Sequence, residues 1–172
     1  MSDTFITIIA VMVVAVIMFV FPIMATANQN DSITQTSVQT MVSDFVNTVA
    51  KEGKITRSNY DDFIQKLYAT GNSYDVELEV QILDDNPGAK GEENIKVIGE
   101  NIYYSEFTTA IESKLSSEGA YKLKQGDYIL AKVTNTNVTF GTQMKNFFYS
   151  IMGKDTIAIE ASASALVTTT GK

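Results

Sequence analysis

Residues 5–27 read FITIIAVMVVAVIMFVFPIMATA, and residues 28–53 continue as NQNDSITQTSVQTMVSDFVNTVAKEG. In the first stretch only Thr7, Pro22 and Thr26 interrupt a run of apolar and small side chains. Its 23 residues, wound as a helix, reach about 34 Å, enough to cross a hydrocarbon core of roughly 30 Å. The second stretch has no Pro or Gly before Gly53. Val38, Met41, Val42, Phe45, Val46 and Val49 recur at the i, i+3, i+4, i+7 spacing of one helix face, with Ser, Thr, Gln and Asn on the others. The pattern predicts one helix that is apolar on every side over 5–27 and amphipathic from 28 to about 50. Gly53 ends it, after Lys51 in the last turn.

A cleavable signal peptide is a rival reading, since Ala25-Thr26-Ala27 resembles a small-residue cleavage site. However, the leading Met-Ser-Asp-Thr has no positive charge, and the apolar run is longer than a usual signal core. A buried core helix is disfavoured because no side of the segment is polar. The reading adopted is a retained membrane-spanning or filament-core helix over residues 1–27, its amphipathic continuation over 28–52, and a globular domain over 53–172. Neither flank of the apolar run is basic, so loop charge gives little orientation. A short N-terminal stub and a long C-terminal domain favour translocation of the domain, which is expected to be extracytoplasmic.

The globular part reads as α+β. Ser58, with Asp61 three residues on, predicts the cap of a helix whose apolar face is Tyr60, Phe63, Ile64, Leu67 and Tyr68, with Gly71 past its end. Tyr74, Val76, Leu78, Val80 and Ile82 alternate strictly and predict a half-buried strand. Residues 84–94, DDNPGAKGEEN, form a turn-rich loop, followed by possible strand at Ile95, Val97 and Ile98. Ser105 is the expected cap of a third helix carrying Phe107, Ala110, Ile111 and Leu115 and closed near Gly119. Gly126-Asp127 turns into the strand YILAKVTNT, and residues 156–168 alternate again through Ala161, Ala163, Ala165 and Val167. About three or four antiparallel strands result, apolar on one face, with the stripe on 38–49 as their natural cover.

Composition limits the chemistry. The 172 residues include no Cys, His or Trp, which removes thiolate and imidazole ligands, disulfides and Cys–His or Ser–His catalysis. Thirteen Lys+Arg against 20 Asp+Glu give a net charge of −7, the wrong sign for non-specific nucleic-acid binding. No phosphate loop or dinucleotide glycine pattern occurs. No catalytic, cofactor or metal residues are assigned. Asp84, Asp85, Glu92 and Glu93 offer oxygens for Ca²⁺ but lack the helix–loop–helix calcium spacing, and read as a solvated turn. Asn30-Asp-Ser32 and Asn137-Val-Thr139 match the glycosylation triplet, a match frequent by chance. Met144, Phe147, Phe148, Ile151 and Met152 form an aromatic stripe at helical spacing. It fits packing on its own sheet, a membrane surface, or a neighbouring subunit, and is the candidate subunit interface after the N-terminal helix.

A hydrophobic helix running into an amphipathic half that packs on a small antiparallel sheet resembles the type IV pilin superfamily. Within it, Phe45-Val-Asn-Thr-Val49, Gly53-Lys-Ile-Thr56, Tyr60-Asp-Asp-Phe63, Leu67, Ala69-Thr-Gly-Asn72 and Tyr74-Asp-Val-Glu-Leu78 look like the tight-adherence pseudopilins and related pilin-like proteins of Gram-positive bacteria. The resemblance implies a structural subunit of a helical homo-oligomeric filament at the cell surface. It resides in the membrane before assembly and is served by an assembly ATPase and a platform protein. On this reading Asp3, Phe5, Ile9, Val13, Val16, Phe19 and Pro22 belong to the filament core. Pro22 falls where pilins interrupt the apolar half of the helix, and a bend or local melting is expected because Pro lacks an amide donor and crowds the Met18 carbonyl. The chain departs from pilins in having no basic leader ending in Gly and no Glu at the fifth mature position. Asp3 is the only acid placed to take that Glu's role, pairing with a neighbour's terminal amine. The other reading is a single-pass anchored accessory or binding domain that uses the helix as a tether.

Overall fold

The computed structural model describes residues 2–83, 103–137 and 160–172, together with 142, 143, 146, 147 and 150. The order of elements is α1 (Ser2–Glu52), β1 (Lys54–Thr56), α2 (Arg57–Tyr68), β2 (Tyr74–Leu83), β3 (Tyr103–Phe107), α3 (Thr108–Glu118), β4 (Ala120–Lys122), β5 (Tyr128–Asn135) and β6 (Glu160–Leu166). The chain divides into two compact units, Met1–Thr36 with Val138–Ile159, and Ser37–Asn137 with Glu160–Lys172. α1 contributes to both.

The α+β architecture expected from the sequence is the one observed: a long N-terminal helix whose amphipathic half packs on antiparallel sheet, with short helices. α1 is assigned as helix over all 51 residues, Pro22 included. The expected melting at Pro22 is therefore not present. Loss of one amide bond leaves the other i→i−4 bonds of the helix available to hold it.

In the second unit the stripe of α1 behaves as its spacing requires. Val38, Val42, Phe45, Val46 and Val49 are buried, and Met41 is half-buried against the same core. Phe45 stacks on Phe63 of α2 at 4.4 Å between ring centroids. The four-stranded sheet has the order β3-β2-β5-β6, every pairing antiparallel. Leu78 and Val80 of β2, Ile129, Ala131 and Val133 of β5, and Ala161 of β6 face inward and join α1 in one core. Among the described residues there are six strands rather than three or four, because β1 and β4 form a separate two-stranded sheet. These are three residues each, too short for the sequence pattern to mark, and their pairing is fixed by tertiary contacts: Ile55 and Tyr121 are opposite one another and both buried.

Two expected caps move. The N-cap of α2 is Thr56, not Ser58. Its hydroxyl accepts the Asn59 amide while Asn59 Oδ1 accepts the Thr56 amide, a reciprocal box with Asn in place of Glu. α3 begins after Phe107, with no side-chain cap, and Ser105 lies inside β3. Pairing of β3 with β2 carries the chain in extended form to Phe107 opposite Glu79, which delays the helix. Thr108 then takes over the ladder's role, its hydroxyl accepting the Leu78 amide at 2.7 Å. Ile111 and Leu115 of α3 are buried as expected, whereas Ala110 and Phe107 are exposed. The loop at 84–94 and the stretch Ile95, Val97, Ile98 lie outside the described residues.

One acid was not singled out by its sequence. Asp127 is buried, and its carboxylate accepts the amides of Leu83 and Lys124 at 3.0 and 2.7 Å, tying the end of β2 to the turn before β5. The C-terminal residues close the other end of the unit. Thr168 donates to the Ala50 carbonyl and Gly171 to that of Leu123, while Leu123 donates to Gly53. Gly53 itself donates to Val49 and has φ +66°, so it both ends α1 and lets this strap approach.

Candidate functional site

The feature with functional content is the apolar half of α1. A helix apolar on one side covers a core; one apolar all round needs an apolar surround. Here an 18-residue window reaches a mean hydropathy of 3.0 with none of it buried within the chain. Phe5 and Phe19 are about two-thirds exposed, and Ile9, Val13 and Val16 are also open. By length and composition this is a candidate membrane anchor.

Local chemistry makes the segment compatible with an apolar medium. An unsatisfied hydroxyl in hydrocarbon is costly, and Ser or Thr in a helix can return its proton to the carbonyl one turn back. Thr7 does so to Asp3 at 2.8 Å and Thr26 to Pro22 at 3.0 Å. The same device continues in the polar stretch, from Ser32 to Asn28 and from Thr36 to Ser32. Thus the hydroxyls that interrupt the apolar run place no demand on water. Asp3 stands in the first turn, where a carboxylate is favoured by the positive end of the helix dipole. Pro22, Ile23, Thr26, Ala27 and Asn30 line an open groove along one side of the helix.

Of the candidate interface at 144–152, Phe147 is described and is 63% exposed. Met144, Phe148, Ile151 and Met152 lie outside the described residues. Asn30, Asp31 and Ser32 are helical, and the Asn137 carboxamide accepts the Ser73 amide and donates to Asn72, holding the β2–β5 end of the sheet.

The titratable clusters of the globular unit read as structural. Tyr60 donates to Glu112 at 2.9 Å, and Tyr121 donates to Glu106 at 2.9 Å, with Lys114 on the same carboxylate at 2.8 Å. Burial, then the adjacent carboxylate, pushes both phenols well above the ordinary tyrosine range. The Lys114 ammonium holds the Glu106 carboxyl below its usual value. Glu79, on the solvent side of β2, is lowered by hydrogen bonds from Ser105 and Gln81. Among the described residues no group of three or more acidic side chains is arranged to hold a metal ion, and the acidic loop at 84–93 lies outside them.

No family model, no curated protein and no solved structure matches the chain. The Glu106 and Asp127 roles were missed from the sequence because each depends on a partner brought in by the fold: Tyr121 and Lys114 for one, Leu83 for the other.

Proposed function

We propose that this chain is a structural subunit of an extracellular type IV pilus-like filament, assembled by packing of the apolar half of α1 from many copies. The observation that carries the reading is the helical continuity of residues 28–37. A membrane tether has no need of order in a polar linker and tolerates Gly and Pro there. This stretch has neither, and it stays within α1. An unbroken helix joining an apolar half to a half built into a globular unit is what a filament core requires.

Assembly would exchange lipid contacts for helix–helix contacts. Lipid is as apolar as Leu, so the gain comes from close packing, with small residues letting helices approach. Ala10, Ala15, Ala25 and Ala27 supply such positions. Subunits related by a screw axis present different faces to each other, and such an interface repeats without closing. Asp3 would pair with a neighbour's terminal amine, since a carboxylate drawn into an apolar bundle needs a counter-charge. Pro22 would give the core a point of compliance. An assembly ATPase and a platform protein follow from the resemblance to pilins.

The test is electron microscopy of sheared cell-surface material, with the protein identified in the fibres by mass spectrometry. Ile33→Pro separates the two readings. A filament subunit loses fibre formation while still fractionating with membranes, whereas an anchored accessory domain is unaffected in both location and activity. Detergent-soluble monomers alone, under conditions where surface fibres are assembled, would defeat the proposal. Asp3→Ala and Pro22→Ala address the two assigned roles, with fibre yield expected to fall for the first and stiffness to change for the second.

A further inference from the structure

The four-stranded sheet of the globular unit ends in β3 on one side and β6 on the other. Which backbone groups these edges leave open follows from the ladder. Opposed residues in an antiparallel pair alternate between those that exchange hydrogen bonds and those that do not. The Val167 amide donates to the Asp127 carbonyl, one step beyond the Tyr128–Leu166 pair. The bonded pairs of β5 and β6 are therefore Ile129–Ala165, Ala131–Ala163 and Val133–Ala161, and the amides and carbonyls of Ser162, Ser164 and Leu166 point away from β5. Gln39 of α1 shows the same direction, its carboxamide donating to the Ser162 carbonyl at 2.9 Å. On the other edge the Leu78 amide donates to Thr108 Oγ1, one step beyond the Glu79–Phe107 pair. By the same alternation the amide and carbonyl of Ser105 and the amide of Phe107 face away from β2.

An open edge is a template for another strand, and proteins ordinarily blunt it with a charge, a proline, a bulge or a cover. Apart from the Gln39 bond, β6 has none of these between Ala161 and Leu166. The residues are Ala-Ser-Ala-Ser-Ala-Leu, and their register with β5 runs without a slip. Ser162 and Ser164 are exposed, Leu166 is 46% exposed, and Ala163 and Ala165 are only half-buried. β3 is the reverse in size. Its outer-face side chains include Tyr103 and Phe107, and Phe107 is 62% exposed. Its one charge, Glu106, is already held by Lys114 and Tyr121.

We infer that β6 of one copy pairs antiparallel with β3 of the next, so that one sheet runs through successive globular units. The occupant is a second copy because each edge finds its complement, in direction, face and side-chain size, in the other edge of the same sheet. Four strands, every pairing antiparallel, leave β3 and β6 running in opposite directions. A copy shifted along the sheet by four strands therefore sets its β3 antiparallel to β6 while the core faces stay on one side. Centring Ser105 on Ser164 puts Tyr103 opposite Leu166 and Phe107 opposite Ser162 on the outer face. On the inner face Glu106 meets Ala163, whose methyl leaves the carboxylate to its present partners. Large side chains then lie over small ones, and the exposed surfaces of Phe107 and Leu166 are covered. Pairing of β6 with another β6 would leave Phe107 and the β3 edge open. The two edges differ, so the contact is heterologous and repeats as an open chain, with affinity supplied by main-chain bonds. It deepens the filament reading and rests on it, adding a contact between globular units to that between N-terminal helices.

The chain has no Cys, so introduced thiols report without background. Full-length Ser105→Cys and Ser164→Cys chains are mixed, reconstituted in vesicles of phosphatidylcholine and oxidised. Directly opposed residues lie about 5.5 Å apart between Cα atoms, inside the roughly 4.4–6.8 Å range of a disulfide. Mass spectrometry of linked peptides is expected to find the mixed 105–164 dimer, and the double variant should give a ladder of covalent oligomers. Ser164→Pro removes one outward amide and no ladder bond. It should keep the cooperative melt of the wild type and lose the oligomers counted by native mass spectrometry. Ser162→Lys alters no backbone group and tests the same edge should that proline unfold the domain. Placed in the Ser164→Cys chain, it should abolish the mixed link, since a lysine on an edge strand opposes strand addition. Links confined to 105 with 105 or 164 with 164, absence of any link, or a mixed link indifferent to Ser162→Lys overturn the inference. Fibres at normal yield from cells carrying Ser162→Lys would sink this contact and leave the filament reading standing. Absence of fibres from wild-type cells would sink that reading, while the disulfides still decide this one.

Discussion

Gly53→Ala is expected to be among the most damaging single-methyl additions in the protein, and its cost separates into two parts. Gly53 has φ +66°, a conformation that costs an L side chain roughly 1–2 kcal/mol. A Cβ there would also stand 2.0 Å from the Thr169 carbonyl oxygen and 2.6 Å from the Gly171 amide, both backbone atoms that cannot rotate aside. The strap at 167–171 must then lift, giving up the bonds from Thr168 to Ala50 and from Gly171 to Leu123. At about 1 kcal/mol each, with some exposure of buried Val167, the second part is about 2–3 kcal/mol and the total about 3–5 kcal/mol. Gly71 is the control: φ is +81°, and nothing lies within 4 Å of its Cβ, so Gly71→Ala pays only the first part. Gly171→Ala pays only the second, its Cβ falling 2.1 Å from the Gly53 carbonyl oxygen. Because both clashes are relieved by one displacement, the double variant Gly53→Ala/Gly171→Ala should cost less than the sum of its parts. Urea denaturation of the full chain in detergent, followed by tyrosine circular dichroism, measures all four. Equal losses for Gly53→Ala and Gly71→Ala, within about 0.5 kcal/mol, or full additivity in the double variant, would refute the strap argument.

Other substitutions test separate elements. Phe45→Ala should cost about 3–5 kcal/mol in the same assay, since it empties a buried site stacked on Phe63. Thr56→Ala should lower stability by about 1 kcal/mol through loss of the α2 cap, whereas Ser58→Ala should be nearly silent. Tyr60 and Tyr121 have folded pKa values raised above the ordinary 10.0, so their contribution is present in full below about pH 10. It is lost as pH rises beyond that toward the folded values. Absorbance of tyrosinate should show these two phenols ionising late, together with unfolding, and Tyr60→Phe should remove one of them. Glu106 shows the reverse sign: its folded pKa is lowered by Lys114, so its contribution holds above the ordinary 4.5 and fades as pH falls through the folded value. Lys114→Met should flatten that acid limb, which thermal melts between pH 3 and neutrality would reveal.

The parts of the fold legible in the sequence were those with long, repeated patterns. The stripe from Val38 to Val49 announced its own burial, as did the alternation of Tyr74 to Ile82, because each side chain's fate follows from the period of one element. Gly53 and Gly119 could be read as helix ends because a left-handed residue is a local requirement. Elements set by partners were not legible. The β1–β4 pair is only three residues per strand, the start of α3 is set by β3 pairing onto β2, and Asp127 has meaning only beside Leu83. The apolar half of α1 was legible as a candidate site because its composition alone, apolar on every side, marks a helix that needs an apolar surround.

By itself, then, the sequence determined the two materials of α1, the faces of its strands, and the absence of Cys and His chemistry, since these depend on composition and period alone. Tertiary structure decided which short segments became strands and which hydroxyl capped α2. It also decided which charges meet, placing Lys54 across from Lys122 and leaving the β2 acids facing outward. The physical reason is range. Periodicity is a property of neighbours along one helix or strand, whereas pairing, capping by competition and charge balance depend on residues that meet only after the chain has closed around its core.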